Sequence, residues 1–363
     1  MREYFGESEE WQTQPLKEAI LNLVARLSSR VFLGKDLCRD PAWLNISKNY
    51  TVDVFMAANL MRLVPGPLRP LLYWFIPTNT RLRREVRDAR QLILPEVERR
   101  RKRAEDALEA GEKPPKTADT IGWMVEIAQA RGRAVDYVPA QLSLTMAAIH
   151  TTTETTTKCI LQLCDTPEIV QPLREEVIQV LREEGWTKVA LGKMRLLDSF
   201  LKEVQRTHGL ATTSMNRLVK NDIILSDGTK LPKGSRILVP DDRTHDPSIF
   251  PEPEKFDVSR FLTLREQSGG ESKHQFVTTT SDHLGFGHGQ HACPGRFFAS
   301  NEMKIALSFI LLRYDLKFPD GEGRPKDLAF ETANMTAPNL KVQIRRRKEE
   351  IDGRDPQQPL QAA

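Results

Sequence analysis

The sequence has few cysteines and no long apolar run, and both absences limit what the protein can be. Four cysteines occur among 363 residues (Cys38, Cys159, Cys164 and Cys293), and none belongs to a CxxC pair. This spacing argues against structural disulfides and predicts a reducing compartment. No run of about 18 apolar residues is present, and the N-terminal stretch is polar and acidic. The sequence therefore predicts neither a signal peptide nor a membrane-spanning helix.

A strong excess of charge of one sign is also missing. The net charge is +4 and the pI is near 8.8, which does not by itself imply a nucleic-acid partner. Basic residues are concentrated locally, with ten Lys or Arg between Arg81 and Arg103. Because the same span holds four acids and no interleaved aromatics, it favours a solvated helix face and no nucleic-acid contact.

Hydrophobic periodicity predicts a mainly α-helical protein with small β-sheets. One helix is expected to pass through the threonine-rich stretch AAIHTTTETT (147–156), another covers about 191–208, and a last one covers about 295–313. Residues 223–240 predict a β-hairpin that turns at Asp227-Gly228. Residues 240–292 are rich in Pro, Gly and Asp and are expected to be irregular, which suggests a functional segment.

The stretch FGHGQHACPG places one cysteine in a glycine-rich loop directly before the last predicted helix. Phe286, Gly289, His291, Cys293 and Gly295 fit the spacing FxxGx(R/H)xCxG. A thiolate ligand is stabilised by backbone N–H groups that point at its sulfur and by the N-terminus of a helix. The glycines allow the backbone to turn closely around the sulfur. The pattern favours a thiolate that binds heme iron.

Two other interpretations of this loop are open. The first is an inert, buried cysteine beside a turn. The second is a zinc site, but zinc ligands usually come from two separated pairs, whereas here they would come from one loop. The candidate zinc ligands are His283, His288, His291 and Cys293.

Two more motifs lie before the cysteine loop in the sequence. In KEVQR, Glu203 and Arg206 are three residues apart and therefore share one helix face, a pairing that is common in any helix. The threonine-rich helix offers Thr151, whose hydroxyl can bond back to the helix and distort it. A polar, solvent-facing helix is the alternative for that stretch.

Together these motifs resemble the cytochrome P450 family, in the form typical of fungal enzymes. The resemblance implies that Cys293 is the axial thiolate on heme iron, with Gly289 and Gly295 shaping its loop. It also implies that His291 contacts a heme propionate and that Phe286 packs near the thiolate. Thr151 would assist oxygen activation and proton relay, and His150 occupies the position where the family usually has an acid.

The resemblance extends to a structural cluster of charges. FPEPEKFDVSRF (250–261) resembles the family's PxxFxPxRF segment, although Val258 stands where proline is common. Arg260 would then join Glu203 and Arg206 in a Glu–Arg–Arg cluster. Buried charges persist when they are mutually paired, so these residues are expected to hold the loop scaffold.

The resemblance implies a heme b cofactor and a monooxygenase that oxidises a lipophilic substrate, such as a fungal terpenoid or another secondary metabolite. Electrons would come from NADPH through NADPH-cytochrome P450 reductase. Two alternatives are an inactive remnant of the fold and a heme-dependent isomerase or dehydratase that needs no reductase.

The resemblance covers nearly the whole chain. It predicts one cytochrome P450 domain over residues 1–345 that lacks the family's N-terminal portion, followed by a disordered tail over 346–363. The full-length family is expected at the endoplasmic reticulum membrane, whereas a chain with no membrane-spanning segment could be cytoplasmic.

Overall fold

The computed structural model describes residues 1–357, and this part of the chain is mainly helical with small antiparallel sheets. The fold class predicted from periodicity is thereby confirmed. Among residues 1–357 the α-helices are α1 Arg2–Phe5, α2 Leu16–Phe32, α3 Gly34–Leu37, α4 Pro41–Leu63, α5 Arg69–Leu72, α6 Pro77–Glu109, α7 Thr120–Arg131, α8 Tyr137–Asp165, α9 Val170–Glu184, α10 Lys188–Lys193, α11 Arg195–Thr207, α12 Arg260–Glu266 and α13 Arg296–Arg313. The strands are β1 Gln12–Pro15, β2 Thr213–Leu218, β3 Ile223–Ile224, β4 Lys230–Leu231, β5 Arg236–Pro240, β6 Tyr314–Lys317, β7 Leu328–Phe330, β8 Ala333–Met335 and β9 Lys341–Arg346.

The chain divides into two compact units. The smaller unit is Ile20–Thr153, and the larger unit combines Met1–Ala19 with the chain from Glu154 onwards. The sequence-based assignment of residues 1–345 to a single domain stays a prediction.

The larger unit is built around α11, which is buried on every side. Ten of its residues, from Leu197 to Arg206, are inaccessible, including its charged ones. Helices α9 and α13 pack nearby, where Trp186 stacks on Phe309 with ring centroids 4.9 Å apart. The sheet β1-β9-β6 pairs the N-terminal strand with the C-terminal one, in the register Gln12↔Ile344. This burial makes α11 a rigid support for the loops that follow it.

The smaller unit pairs α4 with the long basic helix α6, which contains Pro95. Several basic residues of α6 have acidic partners within this unit. Arg100 donates to Asp119 at 2.7 Å and to Glu96 at 2.5 Å, while Arg81 lies 2.8 Å from Asp53. Part of the positive charge of this helix is therefore used to join elements of the unit.

Residues 346–357 make long-range contacts with the rest of the larger unit. Ile351 is 3% exposed, and Trp186 Nε1 donates to the carbonyl of Gly353 at 3.0 Å. Arg347 donates to the carbonyl of Leu312 at 2.9 Å. The disordered tail over 346–363 stays a prediction beside these contacts, which polar composition does not reveal; residues 358–363 lie outside the described chain.

Candidate functional site

The cysteine loop brings Cys293 to the start of α13 in a tightly turned backbone. The Cys293 N–H donates to the carbonyl of Phe286 at 2.8 Å, which closes the loop between them. Gly287 and Gly289 both have φ of +68°, a conformation that favours glycine. Helix α13 begins at Arg296, three residues after the cysteine. The structure thus joins the predicted loop residues into one turn at a helix N-terminus.

The environment of Cys293 separates it from the other buried thiols. Cys293 is half-buried, whereas Cys159 is fully enclosed. Burial raises the pKa of the Cys164 thiol to about 12, and that of Cys159 rises still further. Deeply buried thiols are poor thiolates and poor ligands, since charge is costly in an apolar interior. Cys164 is half-buried like Cys293, so Cys293 is distinguished by its place in a glycine turn at the start of α13.

Aromatic packing and small residues surround the cysteine. The rings of Phe276 and Phe286 meet edge-on with centroids 5.0 Å apart. A methyl group on Gly295 would lie 3.9 Å from Cys293 Sγ, so a small residue there keeps the space beside the sulfur open. Gly289 faces open space, and its positive φ alone accounts for glycine. His291 lies exposed two residues before the cysteine, free of the packing that holds Phe286.

The zinc interpretation gains no support from this geometry. Among residues 1–357, His, Cys, Asp and Glu side chains form no group of three or more that could hold a metal ion. His283 is buried, with Nε2 3.4 Å from the carbonyl of Lys202, and burial holds its pKa well below the usual range. Of the four candidate residues, Cys293 is the one around which the glycine turn closes.

The Glu203–Arg206–Arg260 cluster is assembled as the resemblance implies. Arg206 donates to both oxygens of Glu203, each at 2.8 Å, and Arg260 Nε donates to Glu203 Oε1 at 3.0 Å. The side chains of Glu203 and Arg206 are 0% exposed, and that of Arg260 is 9% exposed. The N–H of Asp257 also donates to Glu203, at 3.1 Å. Arg260 further donates to the carbonyls of Pro251, Glu252 and Lys255. The carboxylate is thus the centre that binds α11 to the irregular segment.

Two contacts connect α11 and β2 to the cysteine loop, and sequence reasoning missed both. The side chain of Gln205 lies against Gly285, where a Cβ would come within 2.3 Å of Gln205 Cδ. Met215 has a positive φ of 56° at a β-bulge, and its sulfur lies 3.9 Å from the Cβ position of Gly287. Gln205 is inside the KEVQR motif, so its position offered a signal, whereas nothing in the sequence marks Met215.

The threonine-rich helix places Thr151 and His150 in the smaller unit. Thr151 is exposed, and its hydroxyl donates back to the carbonyl of Ala147 at 2.8 Å. His150 is half-buried, with Nε2 2.8 Å from the carbonyl of Lys48. The back-bonding expected for Thr151 is present, while its predicted catalytic role and that of His150 stay predictions.

The fold and loop define a class of protein: a mainly helical scaffold that offers one accessible cysteine at the N-terminus of a buried helix, braced by a buried carboxylate–guanidinium cluster. The cytochrome P450 family profile matches residues 7–344. The chain belongs to the cytochrome P450 family.

Named relatives agree with this assignment and identify an oxidoreductase of the monooxygenase class. The chain is 50% identical to cytochrome P450 monooxygenase bsc2 of Alternaria brassicicola over 354 residues, covering 97% of this chain and 67% of that protein. It is 44% identical to cytochrome P450 monooxygenase hepE of Aspergillus oryzae over 348 residues, covering 96% of this chain and 63% of that protein. The chain therefore spans about two thirds of the length of these curated relatives.

A solved structure shares the fold. Retinoic acid-bound cyanobacterial CYP120A1 aligns with a TM-score of 0.68 at 20% identity, covering 95% of this chain and 72% of that one. Within residues 1–357, none of the helices combines the length with the apolar composition needed to cross a membrane.

Proposed function

We propose that the protein is a heme-thiolate monooxygenase that oxidises a lipophilic substrate, such as a terpenoid or another fungal secondary metabolite. The observation that carries the proposal is Cys293, a half-buried thiol held in a glycine turn at the N-terminus of α13. Fungal relatives named as monooxygenases support the reaction class.

The residues around the loop fit heme b. The thiol is half-buried rather than enclosed, Gly295 keeps the space beside it open, and its sulfur would be the donor that holds heme iron. When bound, heme supplies the oxidation of the substrate by O₂, and the thiolate donates electron density that favours O–O cleavage. Cys293 would hold the iron, and Phe286 would limit water near the sulfur.

Two side chains beside the loop, those of His291 and Arg217, can donate hydrogen bonds and would suit the propionates of heme. His291 is exposed on the loop itself. The guanidinium of Arg217 lies 4.0 Å from the sulfur of Met215, which is the side chain that approaches Gly287. A planar guanidinium can bind a carboxylate with two hydrogen bonds, so Arg217 is an additional candidate for this role.

The proton-handling residues belong to α8. The Thr151 hydroxyl donates to Ala147 O and retains acceptor capacity, so it can accept or pass a proton at Oγ1. The carbonyl of Lys48 would orient the ring of His150, which would take part in the proton relay. NADPH-cytochrome P450 reductase as electron donor and an endoplasmic reticulum location are parts of the same proposal.

The absorption spectrum of the reduced, carbon monoxide-treated protein tests the proposal. We expect the 363-residue chain, expressed with 5-aminolevulinate, to give the red-shifted Soret band of a thiolate-ligated heme. Cys293→Ser should lose that band, whereas Cys164→Ser, a matched control, should keep it. Failure to take up heme, or an unchanged band after Cys293→Ser, would refute the proposal and favour an inactive member of the fold.

NADPH oxidation coupled to product formation tests the reaction class. With added reductase and a lipophilic substrate, consumption of NADPH and O₂ is expected. Turnover of that substrate without reductase would instead indicate an isomerase or dehydratase.

A further inference from the structure

A buried lysine on α8 joins two segments that are distant in the sequence. Lys158 Nζ donates to the carbonyl of Gly209 at 2.9 Å and to that of Asn334 at 2.8 Å, and lies 3.3 Å from Asp327 Oδ2. Its side chain is 1% exposed, and burial lowers its pKa. Since a buried ammonium is costly unless acceptors surround it, the position is specified by those carbonyls and that carboxylate.

A second anchor lies one helical turn earlier and acts on the same strand. Glu154 Oε2 accepts from the Thr336 N–H at 3.0 Å and from the Thr336 hydroxyl at 2.8 Å. Lys17 donates to the carbonyl of Thr336 at 2.9 Å and pairs with Glu154. Thr336 is 1% exposed, so all of its polar groups are bound in an interior position. Lys158 and Glu154 therefore fix strand β8 and its end by backbone groups.

The segments held by Lys158 also pair with each other. The Asn334 N–H donates to the carbonyl of Leu210 at 2.8 Å, and the Thr212 N–H donates to the carbonyl of Thr332 at 2.8 Å. Ala211 and Ala333 form an antiparallel bridge. Lys158 thus closes one end of a short ladder between the α11–β2 connection and the β7–β8 hairpin.

This ladder carries apolar side chains that the larger unit leaves uncovered. Leu328, Phe330 and Met335 of the hairpin are 50%, 55% and 39% exposed. The other side of the ladder continues along the chain to Met215, which approaches Gly287 of the cysteine loop. An apolar surface is therefore connected to the candidate site through a few residues of paired backbone.

We infer that Lys158 is a positioning residue that, with Glu154, fixes the β7–β8 hairpin relative to the cysteine loop and thereby sets which lipophilic molecules fit. The inference rests on the proposed function for its substrate class. The positioning role of Lys158 does not depend on the proposed function, because it is argued from the backbone contacts alone. Without the ammonium, the carbonyls of Gly209 and Asn334 lose a charged donor, and the ladder between them loosens.

Hydrogen exchange measured by mass spectrometry on the full chain tests the positioning directly. Lys158→Met keeps the length and apolar stem but removes the donor. We expect amides in peptides spanning 205–214 and 326–337 to exchange at least about tenfold faster in this variant, because their opening becomes easier.

A matched control separates local positioning from general loss of stability. Lys304 is also a buried lysine, 5% exposed, and it donates to the carbonyl of Leu191 at 2.8 Å and pairs with Asp198 at 2.7 Å. Lys304→Met should accelerate exchange around 188–200 and leave 326–337 unchanged. If Lys158→Met does not fold, the milder Glu154→Leu should accelerate exchange at 326–337. Unchanged exchange there in the variants that fold, or equal acceleration in Lys304→Met, would overturn the inference.

Substrate selection is read from the heme-loaded protein. Geraniol, farnesol and geranylgeraniol serve as probes of increasing length, and the shift in the heme absorption spectrum reports their binding. We expect the ratio of apparent Kd values across the series to change by about threefold or more in Lys158→Met and to stay constant in Lys304→Met. A constant ratio in Lys158→Met would refute the link to selection. If no heme is taken up, the proposed function fails, while the exchange result still decides the positioning role.

Discussion

Replacing Glu203 by glutamine removes the charge at the centre of the cluster that joins α11 to the irregular segment. The carboxylate accepts three hydrogen bonds from the guanidinium groups of Arg206 and Arg260 and one from the N–H of Asp257. Glutamine has nearly the same shape, so the change leaves packing intact. The change leaves the two buried cations without this carboxylate. It also places the NH₂ group of glutamine, a hydrogen-bond donor, against the N–H donors of the arginines.

The magnitude follows from the burial of all three partners. Removing one member of a buried ion pair costs about 3–5 kcal/mol, because the remaining charge is left uncompensated. The side chains here are 0–9% exposed, so solvent cannot compensate. A typical domain is stable by only about 5–15 kcal/mol, which makes Glu203→Gln one of the most damaging single changes available in this chain.

Glu96→Gln is the matched control in the smaller unit. Glu96 is 7% exposed and pairs with Arg99 and Arg100, as Glu203 pairs with two arginines. Both partners of Glu96 have a second acid, Asp36 and Asp119 respectively, so charge compensation survives its loss. We expect a cost of about 1.5–3 kcal/mol, the range for a lost hydrogen bond to a charged group.

Urea unfolding, followed by tryptophan fluorescence and by circular dichroism, measures both variants. Two probes are needed because the chain has two compact units, whose transitions can separate. Adding Arg260→Met to Glu203→Gln should recover part of the loss by removing one uncompensated cation. A cost below about 1 kcal/mol for Glu203→Gln, or a cost no greater than that of Glu96→Gln, would refute the reasoning.

Three further predictions concern the loop, the smaller unit and α8. Gly285→Ala should destabilise the protein by about 1–3 kcal/mol, since the new Cβ would overlap the side chain of Gln205. In a double-mutant cycle, Gln205→Ala should relieve most of that cost, and additive effects of the two changes would contradict the contact. Burial and the neighbouring Asp53 raise the pKa of Glu85 from 4.5 to about 7, so the folded state binds the extra proton and stability should fall as pH rises from 4.5 to about 7. Glu85→Gln should flatten this slope in thermal melts, and an unchanged slope would argue against it. Thr151→Val should lower monooxygenation by at least about tenfold while the carbon monoxide spectrum is kept, as for a lost proton relay, and full activity would exclude that role.

Local spacing carries the part of the site that could be predicted. The cysteine loop and the Glu203–Arg206 pair are set by intervals of a few residues, so turn and helix geometry specify them wherever the chain goes. The hairpin at Asp227-Gly228 has the same character, and β3 and β4 do pair across it. In each case the interacting atoms belong to one segment.

Contacts between distant segments could not be predicted in this way. Lys158 lies inside a polar helical stretch and looks like a solvated residue, yet its acceptors lie 51 and 176 residues further along the chain. Ile351 is likewise enclosed within a stretch that is otherwise charged. Periodicity indicates which face of an element is apolar. It does not indicate a single buried cation that donates hydrogen bonds to two backbone carbonyls.

Buried cations explain how residues 240–292 keep one conformation with little regular structure. Irregular backbone has no ladder to satisfy its carbonyls, and an unpaired buried carbonyl is costly. Lys202 on α11 donates to the carbonyls of Gln275 and Thr278, both at 2.8 Å, and Arg206 donates to that of Thr244 at 2.7 Å. Arg260 does the same at the carbonyl of Pro251, at 2.6 Å. These side chains replace the hydrogen bonds that a regular ladder would provide. Since α11 supplies two of them, it positions both the irregular segment and the cysteine loop at the end of that segment.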